Sequence, residues 1–163
     1  MMDDYALIAK TAKEQEDLLR FDHFTARDAW ELGAFIVSRV YEEGLDMAVC
    51  IRKLNGHILF QHCTQGTTLS NQSWMQRKFN TALLTEGSSL RAWATLNLKG
   101  QTPQDQGVSP LEYAYCGGAF PIRLKSGELI GMVIVSNLPH RDDHRFLVRC
   151  LAEYLGINGA AEI

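Results

Sequence analysis

The chain has 163 residues, of which 46% are hydrophobic and 21% charged, and its formal net charge is −3. This length and composition predict one domain, residues 1–163, that is large enough to bury a hydrophobic core. The weakly acidic balance argues against a nucleic-acid-binding protein and against one that adheres to an anionic membrane. No apolar run reaches the roughly 18 residues that a transmembrane helix needs, and the acidic start does not resemble a secretory signal.

The cysteines predict a reducing compartment. They are widely spaced and form no Cys-x-x-Cys pair, which is the usual spacing of a structural zinc site. We interpret them as reduced, mostly buried thiols of a cytoplasmic protein. The four are Cys50, Cys63, Cys116 and Cys150.

The N-terminal part of the chain predicts two helices. Residues 1–20 are rich in good helix formers but carry only a thin apolar stripe, so this helix packs on the domain edge or on a neighbouring subunit, or it frays. A second helix begins at a capping box formed by Thr25 and Asp28, and it ends at Gly44. Its apolar residues recur at helical spacing, which predicts a major element of the core.

Two apolar runs on either side of Asn55-Gly56 predict a β-hairpin, because both turn residues accept a positive φ. A two-residue loop sets Leu54 opposite His57 and places His62 on the same face as the apolar residues of the first strand. His62 is therefore a candidate pocket histidine. The alternative is a core or rim histidine that makes one hydrogen bond.

A helix capped by Ser70 or Asn71 comes next, with a regular apolar stripe facing inward. Trp74, Arg77 and Lys78 lie off this stripe or at its margin. Two cations beside an aromatic ring suit a small anionic ligand. A solvated helix face or an oligomer contact is the other interpretation of the same three residues.

A short helix over residues 88–98 leads into a polar loop, 101–110, that contains proline and glycine. A loop of this size in a compact domain is often a lid, a binding loop or an intersubunit arm. A mobile connector is an equally good interpretation of this loop.

A second hairpin is predicted between Gly117 and Ser136. Gly117-Gly118 allows a sharp turn or a close backbone approach. The strand 119–124 contains Pro121, which favours an edge position, whereas the apolar strand 129–136 is typical of a strand buried on both faces. A final helix starts near His140, and the tail, residues 157–163, is expected to fray.

The order of elements is helix, helix, hairpin, two helices, hairpin, helix. Two hairpins predict a largely antiparallel sheet, and helices before, between and after them must cover both faces. The predicted fold class is therefore α+β, a profilin-like three-layer α/β/α sandwich.

The motifs do not select a reaction. No nucleophile elbow, Walker loop or dinucleotide fingerprint is present, so no catalytic residue is predicted. His140 and His144 are four residues apart on one helix face, with Asp142 and Asp143 between them, which suits a metal if a third ligand comes from elsewhere. Helix capping and core packing explain the same residues without a metal.

A porphyrin site needs an axial histidine and cations for the propionates. His62, His140 and His144 are candidates for the axial position. The candidate cations are Arg77, Lys78 and Arg123.

Three segments together resemble the haem-degrading-domain family, the GlcG/HbpS-like group, and within it a subfamily of cytosolic proteins without an assigned activity. They are WMQRKFN at 74–80, GGAFPIRL at 117–124 and ELIGMVIVSNLPHRDDH at 128–144. The resemblance runs from about residue 18 to residue 156. One departure is Asn137, where many relatives are expected to have glycine, but asparagine tolerates a positive φ better than other residues.

The resemblance implies a profilin-like fold, a homo-oligomer built from dimers, and binding of haem or a related tetrapyrrole. The first hypothesis is therefore a cytoplasmic small-ligand-binding protein. A haem-degrading or redox enzyme at the same pocket and an accessory oligomer without a ligand are its rivals. Candidate ligand-binding residues are Trp74, Arg77, Lys78, Gly117, Gly118, Phe120 and His62, and candidate metal or haem residues are His140, Asp143 and His144.

Overall fold

The computed structural model describes residues 2–163, which form five α-helices, one 3-10 turn and a four-stranded sheet. The helices are α1 (Tyr5–Leu18), α2 (Ala26–Glu42), α3 (Leu69–Thr85), α4 (Ser89–Leu98) and α5 (His140–Leu155), and the 3-10 turn is Pro103–Gln106. The strands are β1 (Ala48–Lys53), β2 (Ile58–Cys63), β3 (Ala119–Arg123) and β4 (Leu129–Ser136). No helix among these residues is long and apolar enough to cross a membrane.

The sheet has the strand order β2-β1-β4-β3, and all neighbouring strands are antiparallel. Helices α2 and α5 pack on the face that carries Val49 and Val133, and α3 packs on the face that carries Cys50 and Met132. Each face buries the alternate residues of the strands, as the two-residue period of a strand requires. The predicted α+β fold with helices on both faces is confirmed.

The helix starts follow the capping chemistry of the sequence. Thr25 and Asp28 form the predicted capping box of α2, in which the Asp28 N–H donates to Thr25 Oγ1 at 3.2 Å and the Thr25 N–H donates to Asp28 Oδ2 at 2.6 Å. The cap of α3 is Thr68 instead of Ser70 or Asn71. Asn71 accepts from the Thr68 N–H at 2.9 Å, which is the reciprocal half of a second capping box.

The first hairpin has a different loop from the predicted one. The Lys53 N–H donates to the His57 carbonyl at 2.9 Å, so the loop has three residues and Leu54 does not oppose His57. A bulge after Ile51 takes up the extra residue, and beyond it His62 opposes Val49 as predicted. The bulge restores the face on which each apolar residue packs, which is what fixes the register of a half-buried strand.

The second hairpin follows the prediction. Strand β4 lies in the middle of the sheet, which explains its continuous apolar sequence, and β3 lies at an edge, where Pro121 is tolerated. A Cβ on Gly131 would collide with the carbonyl oxygen of Arg52 on β1, so glycine is needed for the close approach of these strands.

Helix α1 packs against α4 through Ile8, Leu90 and Ala94. The Glu16 carboxylate joins the two helices, because it accepts from the Ser88 N–H at 2.7 Å and from Arg91 Nε at 3.0 Å. Residues 157–163 have no regular secondary structure and run past α1, where Gln15 Nε2 donates to the Ala161 carbonyl.

Candidate functional site

A cleft of about 550 Å³ opens where the start of α3, the end of β4 and the start of α5 meet. The central strand β4 ends here, so its last residues turn outward between the two helices. The lining residues combine one aromatic ring with hydrogen-bonding groups. They are Gly66, Thr68, Ser70, Asn71, Trp74, Lys78, Cys116, Ser136, Asn137, Leu138, His140 and Asp143.

The inner end of the cleft is held by a buried ion pair. Lys78 Nζ of α3 donates to Asp143 Oδ2 of α5 at 2.7 Å and to the Val135 carbonyl at 3.0 Å. Asp143 Oδ1 also accepts from the Leu138 N–H at 3.0 Å. Burial acts to raise the pKa of Asp143, and the Lys78 ammonium and the backbone N–H groups oppose that shift. The pair fixes the two helices and the turn between β4 and α5 relative to one another.

The two glycines before β3 make room for this arrangement. A Cβ on Gly117 would collide with the carbonyl oxygen of His140, and a Cβ on Gly118 would lie 2.5 Å from Lys78 Nζ. Gly118 also has a φ of +126°, which disfavours side chains. The predicted close approach at Gly117-Gly118 is therefore made to the start of α5 and to the lysine of α3.

His140 presents a hydrogen-bond donor. Its Nδ1 accepts from the Gly117 N–H at 3.1 Å, so the proton of the neutral ring is on Nε2. Burial lowers the pKa of His140, and the Lys78 ammonium lowers it further, so the ring is neutral at pH 7. The ring packs edge-on against Trp93 with centroids 4.7 Å apart, which holds its orientation.

Trp74 forms the outer wall, with 40% of its surface exposed. The Arg77 guanidinium stacks on the Trp74 ring at 4.3 Å and donates through Nη2 to the Pro110 carbonyl at 2.8 Å. Arg77 therefore fastens the loop before β3 to α3 instead of pointing into the cleft. Trp74 and Cys116 also border a second cleft of about 400 Å³ beneath that loop.

The turn after β4 is held by Asn137, which has a φ of +153°. Its Nδ2 donates to the Asp46 carbonyl at 3.0 Å, and its Oδ1 accepts from Asn71 Nδ2 at 3.3 Å. The side chain thus adds two contacts that a glycine would lack. This explains how asparagine is accommodated at the position where glycine was expected.

Several predicted site residues lie outside the cleft. His62 lies on the opposite face of the sheet, where its ring meets the Tyr41 hydroxyl at 2.9 Å, and Phe120 is fully buried in the core on that face. His144 is fully buried behind the cleft, where its Nε2 forms a hydrogen bond with Gln15 Oε1 at 2.7 Å. Arg123 bonds to the carbonyl oxygens of Gly127 and Glu86, away from the site.

The candidate metal residues do not form a metal site among the described residues. His140 and Asp143 both line the cleft, but His144 points elsewhere, and no group of three potential ligands occurs within residues 2–163. Burial raises the pKa of the cleft thiol, Cys116, which favours its protonated form.

Sequence reasoning identified four of the lining residues, Trp74, Lys78, His140 and Asp143, and missed the others, among them Thr68, Asn71 and Cys116. The capping box between Thr68 and Asn71 was a usable signal for where α3 begins. Cys116 directly precedes Gly117, so its position beside the cleft follows from that of the glycine pair.

The fold and the site together define a class of protein: a three-layer α+β domain with a polar cleft at the end of the inner strand β4. Residues 24–152 match the family model described as "Haem degrading protein HbpS-like". The chain therefore belongs to the HbpS-like haem-degrading family, as the sequence motifs predicted.

Relatives and solved structures agree with this assignment. A UPF0303 protein of Yersinia enterocolitica is 36% identical over 146 residues, which cover 89% of this chain and 86% of the relative. The crystal structure of the Ybr137w protein superposes with a TM-score of 0.85 at 30% identity, covering 91% of this chain and 87% of that one. The crystal structure of a complex of PduOC with haem has a TM-score of 0.67 at 17% identity, and the match covers 85% of this chain and 99% of that one. This similarity shows a shared fold.

Proposed function

We propose that this chain is a cytoplasmic protein that binds a planar, carboxylate-bearing small molecule in the cleft, with a tetrapyrrole, haem included, as the leading ligand class. The observation that carries the proposal is that one cleft is lined by the exposed Trp74 ring and by His140, whose Nδ1 accepts from the Gly117 N–H and whose proton is therefore on Nε2. Membership of the family and the haem complex of a protein with the same fold support the ligand class.

The ring of the ligand would stack on Trp74. An aromatic side chain offers a flat apolar face to a planar ligand, and 40% of the Trp74 surface is available for it. The Arg77 guanidinium stacks on the Trp74 ring and holds the indole in place. Stacking of this kind tolerates different planar ligands, so Trp74 supplies affinity more than selectivity.

The carboxylates of the ligand would meet hydrogen-bond donors. His140 Nε2–H is one, and Ser70 in the first turn of α3 is another, at a helix start whose N–H groups favour anions. The charge of Lys78 is matched by Asp143 across 2.7 Å, so Lys78 shapes the cleft and is not a free cation for the ligand. Hydrogen bonds, and not a cluster of positive charge, therefore recognise the acid groups.

The residues of the cleft do not fit a bond between histidine and haem iron. A ligating histidine offers a bare nitrogen and usually donates from its other N–H, whereas His140 accepts at Nδ1 and carries its proton on Nε2. His144 is buried and bonded to Gln15. We therefore infer that a tetrapyrrole binds through its ring and propionates, and we derive no step through iron.

Titration with haemin, followed by the absorbance of the bound pigment and by quenching of tryptophan fluorescence, tests the proposal. Trp74→Ala should weaken binding by about tenfold or more, because stacking contributes roughly 1–3 kcal/mol. His62→Ala is the matched control, since His62 lies on the other face of the sheet, and it should bind as the unaltered protein does. Equal binding by all three proteins would refute the cleft as the site.

A further inference from the structure

A second cleft lies at the opposite end of β4 from the candidate site. The candidate site is lined by Ser136, the last residue of β4, whereas this cleft of about 470 Å³ is lined by Leu129, the first. The turn of the first hairpin, the start of β4 and the start of α2 supply its walls. The residues that line the second cleft are all different from those of the candidate site, so the two can be altered separately.

A gap in the sheet forms the floor of this cleft. Gly131 of β4 lies between Lys53 of β1 and Ile122 of β3 in one cross-strand row, and it contributes no side chain. A Cβ on Gly131 would collide with the Arg52 carbonyl oxygen, so a larger residue cannot fill the gap. Helix α2 covers this face of the sheet but begins only at Ala26, at the edge of the cleft. The gap therefore stays open at this end of the sheet.

The walls of the cleft are mostly apolar, and several of their side chains are only half-buried. Concave apolar surface of this kind marks a binding site, because its contact with water is unfavourable. The volume of about 470 Å³ also lies within the range of small-molecule sites, roughly 300–1,000 Å³. The apolar side chains are Phe24, Leu54, Leu59, Ile122, Leu129 and Ile130. These walls suit the hydrocarbon part of a ligand.

The charge of the cleft favours an anionic group on that ligand. Lys53 lies in the wall, and its ammonium makes no ion pair or hydrogen bond with any of residues 2–163. The other lining cation, Arg52, is already occupied, because its guanidinium donates to Gln76 Oε1 and to Cys50 Sγ. The described lining residues include no aspartate or glutamate. Lys53 is therefore the group that is available to a carboxylate.

We propose that this cleft binds a single-chain amphiphile with a carboxylate head group, the class to which fatty acids belong. The hydrocarbon chain would lie over Gly131 between the apolar walls, and Lys53 would meet the carboxylate at the exposed rim. Most of the affinity would come from burial of the chain, because an exposed pair of charges contributes little. Lys53 would instead select an acid over an uncharged molecule of the same length. This binding is independent of the ligand of the candidate site.

Isothermal titration calorimetry of the full chain with decanoate and with decyl alcohol tests the site and the head group. Decanoate should bind saturably with one molecule per chain. Lys53→Met should weaken decanoate binding about two- to fivefold, the range for an exposed charge pair, and should leave the binding of decyl alcohol unchanged. Lys99→Met is the matched control, since Lys99 is an exposed lysine at the end of α4, and it should bind both compounds as the unaltered protein does.

A carboxylate placed in the wall tests the position of the ligand. Leu54→Glu should weaken decanoate binding by at least about tenfold, since it puts a like charge beside the head group and a polar group in the apolar wall. Leu98→Glu makes the same change at an exposed position at the end of α4, outside the cleft, and should leave binding unchanged. Circular dichroism melting of each variant confirms that folding is intact.

Trp74→Ala distinguishes the two clefts, because it alters the candidate site alone and should bind decanoate as the unaltered protein does. A titration without saturable decanoate binding would overturn the proposal. So would equal losses in Leu54→Glu and Leu98→Glu, or a Lys53→Met variant that treats decanoate and decyl alcohol alike. Decanoate binding that disappears in Trp74→Ala would assign the ligand to the candidate site and would also overturn the proposal.

Discussion

The Gly117 N–H donates to His140 Nδ1 at 3.1 Å, and this one contact decides which ring nitrogen carries the proton of the neutral ring. Gly117 can make the contact because it has no Cβ to strike the start of α5. The glycine pair of the family motif therefore has a chemical consequence as well as a steric one. It leaves the neutral ring with a donor at Nε2, which in the proposed site would meet an acceptor such as a carboxylate.

The donor role of His140 predicts a difference between two substitutions. His140→Ala removes the donor and should weaken binding of a porphyrin carboxylate about tenfold, the usual scale for a hydrogen bond to a charged group. His140→Gln retains both an acceptor for the Gly117 N–H and a donor, so it should keep most of the affinity. Fluorescence titration of both variants measures this, and equal losses would argue against the donor role.

Breaking the ion pair should destabilise the fold strongly. Lys78→Met leaves Asp143 charged and buried, and Asp143→Leu leaves Lys78 in the same state, so each should cost about 3–5 kcal/mol of unfolding free energy. The double variant leaves no unpaired charge and should recover a large part of that loss. Urea denaturation of the three proteins measures the coupling, and additive losses would contradict a direct interaction.

Gly118 offers a test of close packing with an internal control. Gly118→Ala and Gly127→Ala both place a side chain at a positive φ, +126° and +113°, but only the first places a Cβ against Lys78 Nζ, at 2.5 Å, and against the Val135 carbonyl oxygen, at 2.7 Å. Backbone strain costs on the order of 1–3 kcal/mol in both, and the clash adds to the first. Thermal melts should therefore rank Gly118→Ala as clearly less stable. Equal melting temperatures would contradict the tight packing of Gly118 against Lys78 and the Val135 carbonyl.

His144 should make stability depend on pH. Burial lowers its pKa from 6.5 to about 3, so the folded protein keeps the ring neutral while the unfolded chain takes up a proton below pH 6.5. The stability due to the neutral ring is present above pH 6.5 and is lost as pH falls toward 3, at about 1.4 kcal/mol per pH unit.

The His144→Asn variant should be less stable at pH 7 but should lose less stability between pH 6 and pH 4. Urea midpoints across this range, compared with those of the unaltered protein, provide the measurement. Parallel pH profiles of the two proteins would show that His144 does not cause the pH dependence of stability.

The layers and most helix bounds follow from local signals. The capping box at Thr25, the apolar run of β4 and Pro121 in β3 each restrict the backbone within a few residues, so periodicity and turn chemistry predict them. The loop at Asn55 shows a feature that these local signals do not predict. A three-residue loop and a compensating bulge bury the same side chains as a two-residue loop, so the hydrophobic pattern does not distinguish them.

The candidate site was only partly predictable, because its key contacts are distant in sequence. Lys78 and Asp143 are 65 residues apart, and nothing near either residue marks them as partners. Lys78 lies at the margin of the apolar stripe of α3, so the sequence pattern alone predicts a surface residue. The side of the sheet on which His62 lies was predicted correctly, but which side holds the cleft depends on where α3 and α5 pack.

The most direct test of the central claim compares haemin with iron-free protoporphyrin IX in equilibrium titrations of the same protein. If the ring and the propionates carry recognition, the two dissociation constants should agree within about threefold, and Trp74→Ala should weaken both alike. Haemin binding about a hundredfold tighter than the free porphyrin, with a histidine-ligated absorbance spectrum that disappears in His140→Ala, would contradict the account.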